Sequence, residues 1–267
     1  HDLGTSEEYQ AVKALQEKPV RGAIAPADAA RAHGYELAAG GEVLKGGSGR
    51  KFHRLRKPSG ETAVLCVYDD SRPENALYGD IAGVLRDQIG VQVPQVLAAD
   101  KDAGVLVLED LGDTDLWSLA QAAEFPWAPV ASALEQVAGI HRHGVDAFAA
   151  AGVPLMEAFG PNLYQWERQY FQDNALGGRK PDRAVTDEMA SLAKELMGQP
   201  VVTIHRDFQS QNIMVRDGTA WLVDLQGLRH GCMFYDYAAL AFDPYLTRTD
   251  MDLWRIEIED HAREVSG

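Results

Sequence analysis

The sequence predicts an α+β chain of two lobes, a small lobe on an antiparallel sheet with one helix, then a larger and mainly helical lobe. Three observations carry this reading. Two strand-like runs, 50 to 56 and 62 to 68, are joined by the turn signal KPSG. Next, Ala76, Ile81, Val84, Leu85 and Ile89 are spaced to make one apolar helix face over 73 to 90. Beyond Gly112 the apolar residues recur at helical period for most of the remaining chain.

Taken in order, HDLGTSEEYQAVKALQ opens with a capping box, in which Thr5 accepts from first-turn amides and Glu8 reaches back. KPVRGAIAP (18 to 26) reads as a linker, and APADAARAHGYEL as a short helix. From residue 43, VLKGGSGRKFHRLRKPSGETAVLCVYD reads as a Gly-rich loop followed by a hairpin. Pro73 stands at a helix-start position. VPQVLAAD and GVLVLEDLG supply two further strands, so the order is strand, strand, helix, strand, strand. Helices are expected over about 115 to 123, 128 to 143, 155 to 173 and 186 to 198, with GGRKPDRAVTD as a surface loop. VVTIH, NIMVRD and AWLVDL are β-rich, and a final helical region begins near 235. The expected division is 1–40 for N-terminal helices and linker, 41–111 for the small lobe and 112–267 for the large lobe.

With 267 residues, 46% of them apolar, the chain can bury a sizeable core. Its 25 basic and 40 acidic residues leave a net charge of −15, which argues against nucleic acid or an anionic membrane as partner. The same charge would attract a polycationic small molecule. No apolar run approaches the roughly 18 residues of a membrane span, and no signal peptide is evident, so a cytoplasmic location is expected. Cys66 and Cys232 are too few for a disulfide framework and read as buried, reduced thiols.

The chemistry concentrates in HRDFQSQN (205 to 212) and WLVDLQG (221 to 227). Phosphoryl transfer from ATP needs a carboxylate to orient and deprotonate the attacking hydroxyl, and oxygen ligands for magnesium. Asp207 fits the first role. Asn212, five residues on, and Asp224, twelve beyond that, fit the second, because a hairpin over 213 to 223 would bring them together and magnesium prefers hard oxygen donors.

HRDFQSQN, VDLQG, GCMFYDYAAL and LEQVAGIHRHG resemble the aminoglycoside phosphotransferase superfamily of protein-kinase-like small-molecule kinases. Within it, GSGRKFHRLR, RPENALYGDIAGVLRDQIGVQVP and LVLEDLGDTDL are most similar to bacterial N-acetylmuramate/N-acetylglucosamine anomeric kinases. The similarity runs from about residue 43 to 250. It implies a two-lobed protein-kinase-like fold, ATP and Mg2+ as cofactors, and an amino sugar phosphorylated at its anomeric hydroxyl for cell-wall recycling. It also implies that His205 and Asp236 support the catalytic loop, and that the backbone of Glu109, Asp110 and Leu111 holds adenine. Residues 1 to 9 resemble the closing segment of a sugar-phosphate nucleotidyltransferase, which would make the chain a piece of a longer fusion. The large lobe is also shorter than in related chains, as in a truncated one.

The resemblance to protein kinases fails at the third-strand lysine, since Leu65 stands two after Ala63 and 62 to 68 holds no basic residue. Strand alternation puts Arg50, Phe52, Arg54 and Arg56 on one face, so Arg50 and Arg54 are the candidate phosphate-binding cations, or simply a solvated face. Gly47, Ser48 and Gly49 could bring backbone amides to phosphate. Gln209, Gln226 and Arg229 are candidate sugar contacts from their nearness in sequence to Asp207. His141 and His143, two apart, read as packed or capping residues rather than a metal pair. Two rivals stay open: an aminoglycoside- or choline-type kinase, and a pseudokinase acting as a binding module.

Overall fold

The computed structural model describes residues 24–44, 50–121, 126–246 and 251–266. The Thr5–Glu8 capping box, the nucleotidyltransferase-like opening and Gly47, Ser48 and Gly49 lie outside the described residues. After α1 (Pro26–Ala32), strands β1 (Glu36–Leu44), β2 (Arg50–Arg56), β3 (Thr62–Tyr68), β4 (Val96–Asp100) and β5 (Val105–Glu109) form one antiparallel sheet in the order β1-β2-β3-β5-β4. The KPSG turn closes the β2–β3 hairpin, with Arg56 opposite Thr62 and the Lys57 N–H donating to Glu61 O at 2.9 Å.

Period-two alternation gives each sheet face its own core. Leu55, Ala63, Leu65, Val67, Val105 and Val107 bury one face against Ala29, Ala30 and Tyr35. Cys66, Tyr68, Leu106 and Leu108 point the other way into the main core. Leu65 therefore faces the α1 layer, and it is Cys66 that points into the molecule. Strand β1 was not expected from the sequence. ELAAGGEVL carries two glycines and two alanines, which are weak strand formers, and the ladder to β2 shifts register between Leu37 and Glu42.

Residues 73 to 89 form a 3₁₀ turn (Pro73–Leu77), helix α2 (Tyr78–Val84) and a π turn (Leu85–Ile89), ended by Gly90 at φ 85°. Their buried side includes Ile81, Val84 and Leu85, as the spacing predicts.

The helical part comprises α3 (Leu116–Ala120), α4 (Trp127–Ala151), α5 (Pro161–Asn174), α6 (Arg183–Met197), α7 (Phe234–Ala241) and α8 (Met251–Ser266). Between α6 and α7 lie β6 (Val201–Ile204), β7 (Ile213–Arg216), β8 (Thr219–Leu222) and β9 (Arg229–Cys232), with β6 paired to β9 and β7 to β8. α4 outlasts its expected end at 143 because Gly144 stays within the helix, where it packs so close to Thr203 of β6 that a Cβ would stand 2.6 Å from that side chain, and the helix is capped only by Gly152 at φ 64°. Its buried stripe includes Val130, Ala133, Leu134, Val137, Ile140, His141 and Phe148.

The helix expected from 155 starts only at Pro161. Residues 156 to 159 instead run beside β9, with the Met156 N–H donating to Leu228 O at 3.1 Å and the Phe159 N–H to His230 O at 2.8 Å. Trp254 of α8, Leu240 of α7, Phe208, Leu222 and the α4 stripe share one core with the inner face of the sheet. Among the described residues no helix is long and apolar enough to cross a membrane.

Candidate active site

β6 ends at Ile204, and the loop that follows is held from below by a buried carboxylate. Asp236, on α7, is fully buried and accepts the His205 N–H and the Arg206 N–H, both at 2.8 Å. His141 of α4 adds its Nε2 at 2.9 Å from the same carboxylate. His205 Nε2 lies 3.0 Å from Val223 O, tying the loop to the strand that leads to Asp224. These bonds hold Arg206 at φ 77°, a left-handed conformation that a non-glycine residue adopts only when its surroundings demand it. Asp243 grips the far side, accepting the Ser210 N–H at 2.6 Å and the Tyr245 N–H at 2.8 Å. Asp243 and His141 have no place in the sequence reading as loop anchors. The only local signal for Asp243 is its position in the turn-forming FDPY.

Within the loop, Asn212 donates through Nδ2 to Asp207 O at 2.9 Å, which aims its amide oxygen the other way. The β7–β8 hairpin turns through Asp217 and Gly218 at φ 52° and 78°, the pair of positive angles a two-residue hairpin needs. It returns the chain so that the Val223 N–H donates to Asn212 O at 3.1 Å. Asn212 and Asp224 thus become neighbours, as the spacing predicts. Asp224 itself sits at φ 66°.

Across the cleft, Arg50 of β2 forms an ion pair with Asp224. Gln226 bridges the two, accepting from Arg50 Nη1 through Oε1 at 2.8 Å and donating through Nε2 to Asp224 Oδ1 at 2.8 Å. Burial pushes the Asp224 carboxyl upward, but the Arg50 guanidinium and the Gln226 amide outweigh it and hold the group below its ordinary value. A small cavity beside this cluster is lined by Arg50, Phe52, Cys66, Tyr78, Leu108 and Gln226. Gln226, a candidate sugar contact from its position in sequence, is part of the Arg50–Asp224 link in this structure.

Asp207 keeps its carboxylate one-third exposed at the cleft, with Arg206 Nη1 3.4 Å from Oδ2. Gly227 makes room for it: a Cβ there would stand 3.3 Å from Asp207 Oδ2. Gln209 shapes the loop through its backbone, donating to Asp207 O at 2.9 Å. Arg229 opens β9, buried, with its guanidinium over the Phe159 ring.

Arg54 does not join Arg50. Its Nε lies 2.8 Å from Asp110 and its Nη2 2.7 Å from Asp113, so its charge is met by the segment after β5. Glu109, at the end of β5, pairs with Arg216 of the β7–β8 hairpin at 2.6 Å. Glu74, in the 3₁₀ turn before α2, lies 3.5 Å from Arg72. The carboxylate that meets the cleft arginine is Asp224.

The chain is 28% identical over 206 residues to the N-acetylmuramate/N-acetylglucosamine kinase of Neisseria meningitidis serogroup B, covering 74% of this chain and 59% of that protein. It is 28% identical over 218 residues to the kinase of the same name from Pseudomonas aeruginosa, covering 77% and 61%. The matches thus span about three fifths of those relatives. Among solved structures, the apoenzyme of macrolide 2'-phosphotransferase MphH from Brachybacterium faecium superposes with a TM-score of 0.63 at 18% identity, covering 90% of this chain and 82% of that one. That likeness shows the protein-kinase-like fold. Residues 41–265 match the model of the phosphotransferase enzyme family, APH, and the chain belongs to that family.

Proposed function

We propose that the chain transfers the γ-phosphoryl group of ATP to the anomeric hydroxyl of an amino sugar, N-acetylmuramate or N-acetylglucosamine. The product would be the sugar 1-phosphate, made in the cytoplasm for cell-wall recycling. Family membership and the two kinase relatives support the reaction class. The observation that carries it is the convergence of Asp207, Asn212 and Asp224 around one loop and one hairpin, with Arg50 facing them.

In this reading Asp207 orients the anomeric hydroxyl and takes its proton as the oxygen attacks the γ-phosphorus and ADP departs. General-base assistance of this kind contributes about 10² to 10⁴ in rate. Asn212 and Asp224 are hard oxygen donors held side by side and fit magnesium, which when bound neutralises phosphate charge. Arg50 passes from Asp224 to the phosphates and supplies the cation that β3 lacks. The backbone of Glu109, Asp110 and Leu111 holds the adenine end of the nucleotide. Arg54, bound to Asp110 and Asp113, sets the course of that linker. A sugar 1-phosphate is what a nucleotidyltransferase consumes, and such an enzyme is the partner implied by residues 1 to 9.

The test is magnesium-dependent ATP consumption over a panel of sugars and cationic alcohols, followed by the acid lability of the product. An acid-labile product from an amino sugar is expected. An acid-stable monoester from an aminoglycoside or choline would replace the acceptor, and no consumption with any alcohol would make the chain a binding module.

A further inference from the structure

Arg229 carries a charge that its protein surroundings leave uncompensated. Two arginines are buried among the described residues, Arg50 and Arg229, the latter 6% exposed. Arg50 is paired with Asp224, whereas Arg229 takes part in none of the ion pairs among the described residues. Its Nε donates to Gly227 O at 3.3 Å, and its guanidinium carbon lies 5.5 Å from the centroid of the Phe159 ring. A guanidinium taken out of water costs free energy unless an anion meets it. Burial accordingly depresses its pKa, with Arg206 acting in the same direction against Asp207, Tyr235 and Glu157.

The place of this charge gives it meaning. Gly227, whose carbonyl holds Arg229, is also the residue against which the candidate base rests. A Cβ at Gly227 would stand 3.3 Å from Asp207 Oδ2 and 3.7 Å from Arg206 Nη1. Arg229 and the Asp207 carboxylate thus both lie against Gly227. Phe159, stacked obliquely on Tyr164 at 5.3 Å and on Tyr235 at 4.7 Å, gives this side an aromatic wall.

We propose that Arg229 pairs with a carboxylate on the acceptor, so that the site prefers an anionic amino sugar, with a carboxylate-bearing ether substituent, over its neutral counterpart. This rests on the amino-sugar reading above and narrows it. N-acetylmuramate carries such a group and N-acetylglucosamine does not. A guanidinium is suited to the role because its planar fork matches a carboxylate with two parallel hydrogen bonds.

The experiment compares kcat/KM for the two sugars in the unsubstituted chain and in Arg229→Met, which keeps an apolar stem against Phe159. The ratio of N-acetylmuramate to N-acetylglucosamine is expected to fall about 10- to 100-fold, the loss of one charge-assisted hydrogen-bonded pair, and to recover in part in Arg229→Lys. An unchanged ratio would reduce Arg229 to a packing role and overturn the proposal. So would a rise in KM confined to ATP, which would make the anion a nucleotide phosphate. Should the methionine variant not fold, N-acetylmuramate amidated at its carboxyl tests the charge on the unsubstituted chain, where a KM equal to that of the free acid overturns it. Turnover of neither sugar by the unsubstituted chain sinks the amino-sugar reading and this inference together, an outcome distinct from turnover of both without discrimination.

Discussion

Arg50, on the second strand of the sheet, is ion-paired across the cleft with Asp224, at the end of the β7–β8 hairpin. A protein kinase carries its cleft lysine on the third strand, whereas the cation that faces Asp224 here stands on the neighbouring strand, β2. The inward position on β3 belongs to Cys66, whose thiol burial pushes up to about 12, far from a nucleophile or a cation. Gln226 fixes the arginine's approach by bonding to both partners.

Removing Arg50 has two effects. Arg50→Ala leaves Asp224 without its counter-ion in a desolvated site, which costs about 3–5 kcal/mol of stability, read by urea denaturation. It also weakens ATP binding by about tenfold or more, the worth of a charge-assisted contact to phosphate. Adding Cys66→Lys in that background places an ammonium on the same inner face and should restore nucleotide affinity. Titration with Mg·ATP checks both, and an unaltered affinity in Arg50→Ala removes the arginine from the phosphate site.

The same pair makes stability depend on pH in a defined sense. Asp224 has its folded pKa depressed, so its contribution is fully present above the ordinary carboxylate value and is lost as pH falls through the lowered one. The destabilisation caused by Asp224→Asn should therefore be constant above about pH 5 and shrink below about pH 4. Urea midpoints of the two proteins over that range measure it, and a difference that grows on acidification has the wrong sign.

For the proposed base, Asp207→Asn keeps the shape and removes the proton acceptor. Turnover should fall by about 10² or more while the affinity for Mg·ATP changes little, because in the proposed mechanism this side chain acts on the acceptor. Single-turnover kinetics with the sugar, beside nucleotide binding, separate the two quantities. Retained turnover assigns the proton elsewhere.

Asp236 supports the loop without reaching the cleft. Asp236→Ala strands the N–H groups of His205 and Arg206 and the ring of His141 in a buried site, at about 1–3 kcal/mol for each unsatisfied group. Arg206 then has no reason to stay at φ 77°. Thermal unfolding should show a loss much larger than for an exposed substitution such as Glu264→Ala, and the residual folded protein should lose kcat more than nucleotide affinity.

Much of the framework is local and could be read along the chain. KPSG closes the β2–β3 hairpin and Asp217-Gly218 the β7–β8 hairpin because these residues accept the dihedrals of tight turns. The five-residue step from Asp207 to Asn212 is closed by one side-chain bond inside the loop. The α4 stripe follows from helical period, and only its length was underestimated. Strand β1 and the extended run 156 to 159 were hidden, the first by its glycines and alanines and the second by a strand partner about seventy residues away.

The sequence by itself determined which side chains share a face, where the turns fall, and that a carboxylate, an amide and a second carboxylate would meet near one hairpin. All of these depend on dihedral preferences and short-range hydrogen bonds. Tertiary structure alone decided which partner each charge takes. Arg50 and Arg54 stand on one strand face, yet the first pairs with Asp224 and with Gln226, the latter 176 positions away in sequence, and the second is captured by Asp110 and Asp113. Asp243 gained its anchoring role, and Arg229 its uncompensated burial, in the same way. Strand period sets direction, but the identity of a counter-ion depends on how the sheet closes over the helical lobe, and that follows from packing among residues far apart in the chain.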